Sequence, residues 1–204
     1  MNTSKPEFIV AIGGSSGYLA PLLKFFDRTI NDRVSYVILR HISADAQSML
    51  KEILQHHSKL DVVDGTDNMP VENNKVFILP PGYYMTIKNG VLHLKERKDL
   101  RNCAIDIFMD SLAADFKERS IGVILSGGGS NGVEGAASIK KEGGIVFVQE
   151  PSSCESNALP LKVIDSENYD RILLPEHMPG AILNCVADYL KKSKDRISVQ
   201  RKSA

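Results

Sequence analysis

The sequence contains no tryptophan and only three cysteines among its 204 residues. Cys103, Cys154 and Cys185 lie far apart, and their odd number and wide spacing match neither a disulfide framework nor a zinc site. A reducing compartment is the simplest interpretation of this cysteine usage. We therefore expect a cytoplasmic protein with no bound metal and no other cofactor.

The sequence also lacks an excess of charge of either sign, since Lys+Arg and Asp+Glu each number 25. A balanced charge gives no general attraction to nucleic acid or to an anionic membrane surface. No apolar run is long enough to cross a bilayer, and residues 1–7 lack the apolar stretch of a signal peptide. These absences predict no nucleic-acid partner and no membrane insertion.

Apolar runs of strand length alternate with amphipathic segments of helix length along the whole chain. Runs without polar alternation are typical of strands that are covered on both faces, as in parallel sheets. Such strands are predicted at residues 8–12, 36–39, 61–63, 76–79, 122–125, 145–148 and 172–174. Helices are predicted at residues 19–28, 44–56, 105–116, 133–141 and 179–191. Asn89-Gly90 is the favoured two-residue turn of a β-hairpin and predicts one over residues 85–94.

This order of elements predicts an α/β fold with three layers, in which a mostly parallel, doubly wound sheet is accompanied by a β-hairpin. We see no internal repeat and no linker, so we expect one domain over residues 1–190. Residues 191–204 are polar and basic, and we expect them to form a tail that frays.

Three polar or glycine-rich segments directly follow predicted strands, where ligands bind in open α/β sheets. They are residues 13–17 (GGSSG), the pair Arg40-His41, and residues 126–132 (SGGGSNG). One interpretation is phosphate binding, although neither loop matches the G-x-G-x-x-G motif or the P-loop. The other is hydrolysis by a serine, a histidine and a polar orienting residue, which are recognised by their roles rather than their order. Spacing alone leaves both interpretations open.

Several segments in the same order resemble motifs of the chemotaxis receptor methylesterases of the CheB type. Residues 12–17 are similar to the family's nucleophile loop, residues 39–42 to its Val-Gln-His segment, and residues 122–132 to its Gly-Val-(Ile/Leu)-Leu-(Ser/Thr)-Gly-x-Gly-x-Asp-Gly motif. Further similar stretches are residues 67–71, 76–81 and 143–151. The resemblance spans about residues 8–183 and is closest to the form fused to a receptor methyltransferase. It does not include the receiver domain of the two-domain enzymes.

The resemblance implies hydrolysis of γ-glutamyl methyl esters on chemoreceptor helices, with release of methanol, and deamidation of certain receptor glutamines. Carried over by position, Ser15 matches the nucleophile and His41 the general base, while Asn131 stands where the family has its aspartate. Gly128 lies in the oxyanion loop, and Ser16 stands beside the nucleophile. The implied partners are a methylated chemoreceptor or related signalling protein, together with a receptor methyltransferase.

Three positions depart from the family pattern. Asn131 can accept a hydrogen bond from a histidine ring but supplies no counter-charge, and by donating instead it can favour the wrong tautomer. In a serine protease the equivalent change costs roughly 10⁴ in rate. Tyr18 replaces a glycine and is expected to narrow the site, and Gly128 replaces a bulkier residue and is expected to loosen the loop. We therefore expect an impaired esterase; the alternatives are a catalytically inactive receptor- or partner-binding regulatory domain and an esterase with another substrate.

Each of these residues also has a purely structural interpretation. Ser15 is a common type of helix N-cap, a histidine such as His41 can be buried and satisfied by backbone groups, and Asn131 before a glycine is a common turn residue. Asp106 is interpreted as a helix-start residue, and Glu150 as the end of a strand.

Overall fold

The computed structural model describes residues 6–31, 33–40, 44–98 and 103–202, with side chains over the same ranges except 44–48 and 194–202. The strands are β1 (Phe8–Gly13), β2 (Val34–Leu39), β3 (Asp61–Asp64), β4 (Met69–Pro70), β5 (Lys75–Ile78), β6 (Tyr83–Lys88), β7 (Val91–Glu96), β8 (Ser120–Ile124), β9 (Ile145–Gln149) and β10 (Arg171–Leu173). The α-helices are α1 (Leu19–Phe26), α2 (Ala44–His57), α3 (Ala104–Phe116), α4 (Val133–Lys141), α5 (Ala158–Asp165) and α6 (Met178–Lys202).

A seven-stranded sheet with the order β10-β9-β8-β1-β2-β5-β3 forms the centre of the fold. All of its strand pairs are parallel. Every residue of β1 and of β2 is buried, because both faces of these strands are covered. Alternate residues of β1 enter opposite cores, Phe8 and Val10 on one side and Ile9 and Ala11 on the other.

Helices cover both faces of this sheet and complete three layers. One hydrophobic core lies between the sheet and helices α1, α2 and α6. The second core lies between the sheet and α3, α4, α5 and the small antiparallel sheet β4-β7-β6. The predicted three-layer, mostly parallel α/β architecture is confirmed. In the part of the chain that the structure describes, none of the helices is long and apolar enough to cross a membrane.

The predicted hairpin is confirmed as β6 and β7, joined at Asn89-Gly90. Both turn residues have positive φ, 55° and 74°, as a type I′ turn requires. The carboxylate of Asp115 on α3 accepts hydrogen bonds from the N–H groups of Asn89 and Gly90 at 2.8 and 2.9 Å. This contact fastens the turn to the helix beneath it.

Two helices differ from the sequence-based expectation. Helix α5, Ala158–Asp165, was not predicted, and it contains Pro160 in its first turn. Proline is tolerated there because the first N–H groups of a helix have no intrahelical acceptor. Helix α6 continues to Lys202 instead of ending at Lys191, since no proline or glycine interrupts residues 191–202. The division at residue 190 stays a prediction.

Successive strands are added to one side of β1 in the first half of the chain and to its other side in the second half. This change of side creates a crevice next to β1. Strand β2 lies on one side of β1 and β8 on the other. Helix α1 follows β1 onto one face of the sheet, while α4 follows β8 onto the opposite face. The loops after β1 and β8 therefore diverge at the carboxyl edge, which is where open α/β sheets bind their ligands.

Candidate active site

A cleft of about 250 Å³ lies at this carboxyl edge. It is lined by Gly14, Ser15, Leu39, Arg40, Ile105, Gly128, Gly129, Ser130, Asn131 and Leu159. The structure therefore brings Ser15 to the same cleft as Gly128 and Asn131, which lie more than a hundred residues later in the sequence. Ser16 is exposed in the same loop as Ser15 but does not line the cleft.

The loop after β1 presents Ser15 to solvent. The Ser15 N–H donates to the carbonyl of Ser126 at 3.0 Å, and its own carbonyl accepts from the Tyr18 N–H at 3.2 Å. Gly17 has a φ of 72°, which favours glycine and lets the chain turn into α1. The N-cap of α1 is Tyr18, with no side-chain capping bond. Ser15 is therefore not the cap that its sequence position allowed.

Buried Ser126 ties three segments together beneath this loop. Its N–H donates to Gln149 Oε1 at 2.8 Å. Its hydroxyl donates to the carbonyl of Ser16 at 2.8 Å and accepts from the Ser156 N–H at 3.0 Å. The end of β8, the Ser15 loop and the segment before α5 are consequently held at one point. The sequence motif that contains Ser126 does not by itself indicate this linking role.

Two glycines in the loop after β8 have different surroundings. A Cβ on Gly127 would lie 3.0 Å from the Ser15 backbone nitrogen and 3.3 Å from Ser15 Cβ, so the two loops approach closely here. Among the described residues, a Cβ on Gly128 would meet Ser156 Oγ alone, at 3.9 Å. The described surroundings of Gly128 therefore leave space for a larger side chain, and the looser loop stays a prediction.

Asn131 is connected to the start of α3. Its Oδ1 accepts a hydrogen bond from the Asp106 backbone N–H at 3.1 Å. In return, Asp106 Oδ1 accepts from the N–H groups of Gly132 and Gly135 at 2.7 and 2.8 Å. Ile105 fits between the two loops, because Cβ atoms on Gly13 and Gly132 would lie 2.6 and 3.1 Å from its Cγ2.

Asp106 is thus more than a helix-start residue. It does lie in the first turn of α3, as the sequence predicted, but its carboxylate also holds the beginning of α4. Burial raises the pKa of this carboxyl group, and the hydrogen bonds from Gly135 and Gly132 offset only part of that effect. The carboxylate connects α3, α4 and the loop that carries Asn131.

His41 lies outside the described residues, so its predicted role as general base stays a prediction. Arg40, the residue before it, is half-buried at the end of β2 and lines the cleft. The other four histidines, His56, His57, His93 and His177, all fall within the described ranges and do not line the cleft. In those same ranges no group of three His, Cys, Asp or Glu residues could hold a metal ion.

Tyr18 does not narrow the cleft, contrary to the expectation from its replacement of a glycine. Its side chain is 2% exposed and packs in the core on the α1 face of the sheet. A Cβ on Gly14 would lie 2.8 Å from Tyr18 Cβ, so the tyrosine lies directly beneath the loop. The Arg40 guanidinium lies over its ring, 4.3 Å from the centroid. Burial raises the Tyr18 pKa, and Arg40 partly opposes this increase.

A family model described as CheB methylesterase matches residues 10–182. The chain belongs to the CheB methylesterase family. The matched region includes Ser15, His41, Asp106 and Asn131, together with the central sheet except the first two residues of β1. The resemblance inferred from the motifs is therefore confirmed at the level of the family.

The chain is also similar to solved and curated proteins. The CheB methylesterase catalytic domain of Thermotoga maritima superposes with a TM-score of 0.81 at 26% identity, covering 87% of this chain and 97% of that one. A protein-glutamate methylesterase/protein-glutamine glutaminase of Pyrococcus horikoshii is 28% identical over 87% of this chain. An uncharacterized 104.1 kDa protein of Rhodobacter capsulatus is 34% identical over 69% of this chain. The chain spans 50% of the Pyrococcus protein and 14% of the Rhodobacter protein.

Proposed function

We propose that this CheB-family chain is a serine esterase that hydrolyses γ-glutamyl methyl esters of a methylated chemoreceptor or related signalling protein. The observation that carries the proposal is that the exposed Ser15 and the partly buried Asn131 line one cleft at the carboxyl edge of the sheet. The family membership and the activity for which the Pyrococcus relative is named support the choice of substrate.

In the proposed reaction, the Ser15 hydroxyl attacks the ester carbonyl carbon while His41 accepts the hydroxyl proton. The proton then passes to the departing methoxy group, which leaves as methanol. Water, deprotonated by the same histidine, hydrolyses the acyl-serine and releases a free glutamate side chain. The same steps on a glutamine amide would release ammonia.

The oxyanion formed during this attack needs N–H donors that are not already engaged. The N–H groups of Ser15 and Gly127 donate to the carbonyls of Ser126 and Ser156 at 3.0 and 2.8 Å. The next N–H groups along each loop, those of Ser16 and Gly128, are the proposed donors. Donors in fixed loops stabilise such a charge because they need no reorganisation during the reaction.

Asn131 limits the rate of this proposed esterase. An amide in the position of the acid gives no negative charge to stabilise a protonated His41. The same observation favours a second candidate function, a catalytically inactive domain that binds a receptor or a receptor methyltransferase. A cytoplasmic location belongs to both proposals.

Labelling with a fluorophosphonate probe tests the two candidates against each other. An esterase with an activated serine reacts covalently at Ser15, and mass mapping of the labelled peptide identifies the site. Ser15→Ala should abolish the adduct, while Ser152→Ala, a change at an exposed serine outside the cleft, should leave it unchanged. Absence of any Ser15 adduct in folded protein would favour the binding domain.

A further inference from the structure

Arg40 is held in a defined position at the wall of the cleft that contains Ser15. Its guanidinium Cζ lies 4.3 Å from the centroid of the Tyr18 ring. Tyr18 is 2% exposed and packed beneath Gly14, so the ring forms a rigid support. A guanidinium that stacks on an aromatic face keeps its N–H donors directed outward along its edge.

Among the described residues that line the cleft, Arg40 is the one that carries a formal charge. Within the ranges that the structure describes, no carboxylate forms an ion pair with it. Glu155 packs against Gly17 and is not part of the cleft lining. Lys162 adds positive charge at the rim, where its Nζ donates to the Gly129 carbonyl at 2.8 Å.

We propose that Arg40 is a specificity-determining residue that binds a carboxylate of the substrate next to the ester cleaved at Ser15. The proposal rests on the esterase function proposed above and names its substrate class, a peptide in which the γ-glutamyl ester neighbours a free acidic side chain. Arginine suits this role because its planar edge binds a carboxylate through two parallel hydrogen bonds. The family segment that this region resembles has a neutral glutamine at the same position, so the positive charge is a feature of this chain.

Two synthetic peptides test the proposal. Each carries one γ-glutamyl methyl ester, and they differ only in whether the neighbouring residue is glutamate or glutamine. We expect kcat/KM for methanol release to be about three- to ten-fold higher for the glutamate peptide, and the ratio to approach one at high salt. Arg40→Gln should remove the preference and Arg40→Lys should keep part of it. Arg28→Gln, which removes the same charge at an exposed position outside the cleft, should leave the ratio unchanged.

Binding to Ser15→Ala protein, measured by fluorescence anisotropy with the same two peptides, separates this inference from the esterase proposal. Tighter binding of the glutamate peptide that depends on Arg40 supports the inference even if no ester is hydrolysed, in which case only the esterase proposal fails. Equal affinities for the two peptides overturn the inference, whatever the hydrolysis rate.

Monomethyl glutarate is the small anionic control. One contrary result would be that the protein hydrolyses monomethyl glutarate faster than methyl butyrate in a way that depends on Arg40, while it hydrolyses the two peptides at equal rates. This result would overturn the assignment of a peptide as the substrate.

Discussion

The side chain of Asn131 accepts a hydrogen bond from the backbone N–H of Asp106 at the start of α3, with 3.1 Å between Oδ1 and N. This contact requires an acceptor at residue 131, and an aspartate provides one as well as an asparagine does. The amino terminus of a helix also favours a negative charge. The surroundings of residue 131 are therefore compatible with an aspartate side chain.

Asn131→Asp should increase ester hydrolysis substantially. A carboxylate would stabilise the protonated histidine in the transition state, and the gain could reach roughly 10³-fold if the rest of the site is intact. Methanol release from methylated receptor measures the effect. Asn184→Asp, at an exposed position on α6, is the matched control and should change nothing.

Because Asn131 precedes Gly132, spontaneous deamidation would produce aspartate in stored protein. Intact-mass analysis of both proteins should therefore accompany this assay. If verified, folded Asn131→Asp protein is no faster than verified Asn131 protein, the missing charge is not what limits the site.

Asp106 should make the folding stability depend on pH in a specific direction. Its pKa is raised in the folded state, so the folded state binds more protons than the unfolded state between the ordinary and the raised value. The free energy of unfolding therefore falls as pH rises through that window and is constant above it. Urea denaturation at a series of pH values should show this fall, and Asp106→Asn should lack it. The opposite result would be a free energy of unfolding that rises with pH in the wild-type protein relative to Asp106→Asn. It would show that the hydrogen bonds from Gly132 and Gly135 lower the Asp106 pKa by more than burial raises it.

Ser126→Ala should destabilise the protein and disturb the Ser15 loop. The hydroxyl is buried and bonds to the backbone of Ser16 and Ser156, so its removal takes a hydrogen-bond partner from the Ser16 carbonyl and the Ser156 N–H. The expected loss is about 1–3 kcal/mol of unfolding free energy, with slower fluorophosphonate labelling of Ser15. Ser152→Ala serves again as the control. Unchanged stability and labelling would mean that Ser126 does not hold this loop.

Gly14→Ala should also be costly, because its Cβ would lie 2.8 Å from Tyr18 Cβ and 3.2 Å from the Ser126 carbonyl oxygen. Overpacking of this kind costs about 1–3 kcal/mol. The cost should shrink in a Tyr18→Gly background, which removes the contacted atoms, although Tyr18→Gly alone is destabilising. A double-mutant cycle by urea denaturation measures this coupling. Additive effects of the two changes would contradict close packing of the loop on the tyrosine.

The fold was predictable because strands such as residues 8–12 and 36–39 are apolar on both faces and alternate with amphipathic helices, as is typical of a covered parallel sheet. The same reasoning placed Ser15 and Asn131 at one edge. It did not predict α5, because Pro160 lies in the first turn of that helix and proline usually indicates that a helix is interrupted. It missed the bond between Asp106 and Asn131 and the stacking of Arg40 on Tyr18. These contacts join residues distant in the sequence, and local patterns carry no signal for them.

Methanol release from methylated chemoreceptor, compared between the unmodified protein and Ser15→Ala, tests the central claim most directly. We expect slow but measurable release that follows enzyme concentration and disappears in the variant. The variant should keep its fold, since the Ser15 contacts to Ser126 and Tyr18 use backbone atoms. Release that survives unchanged in folded Ser15→Ala protein, or its complete absence from both proteins, would contradict the assignment of this chain as a Ser15-dependent methylesterase.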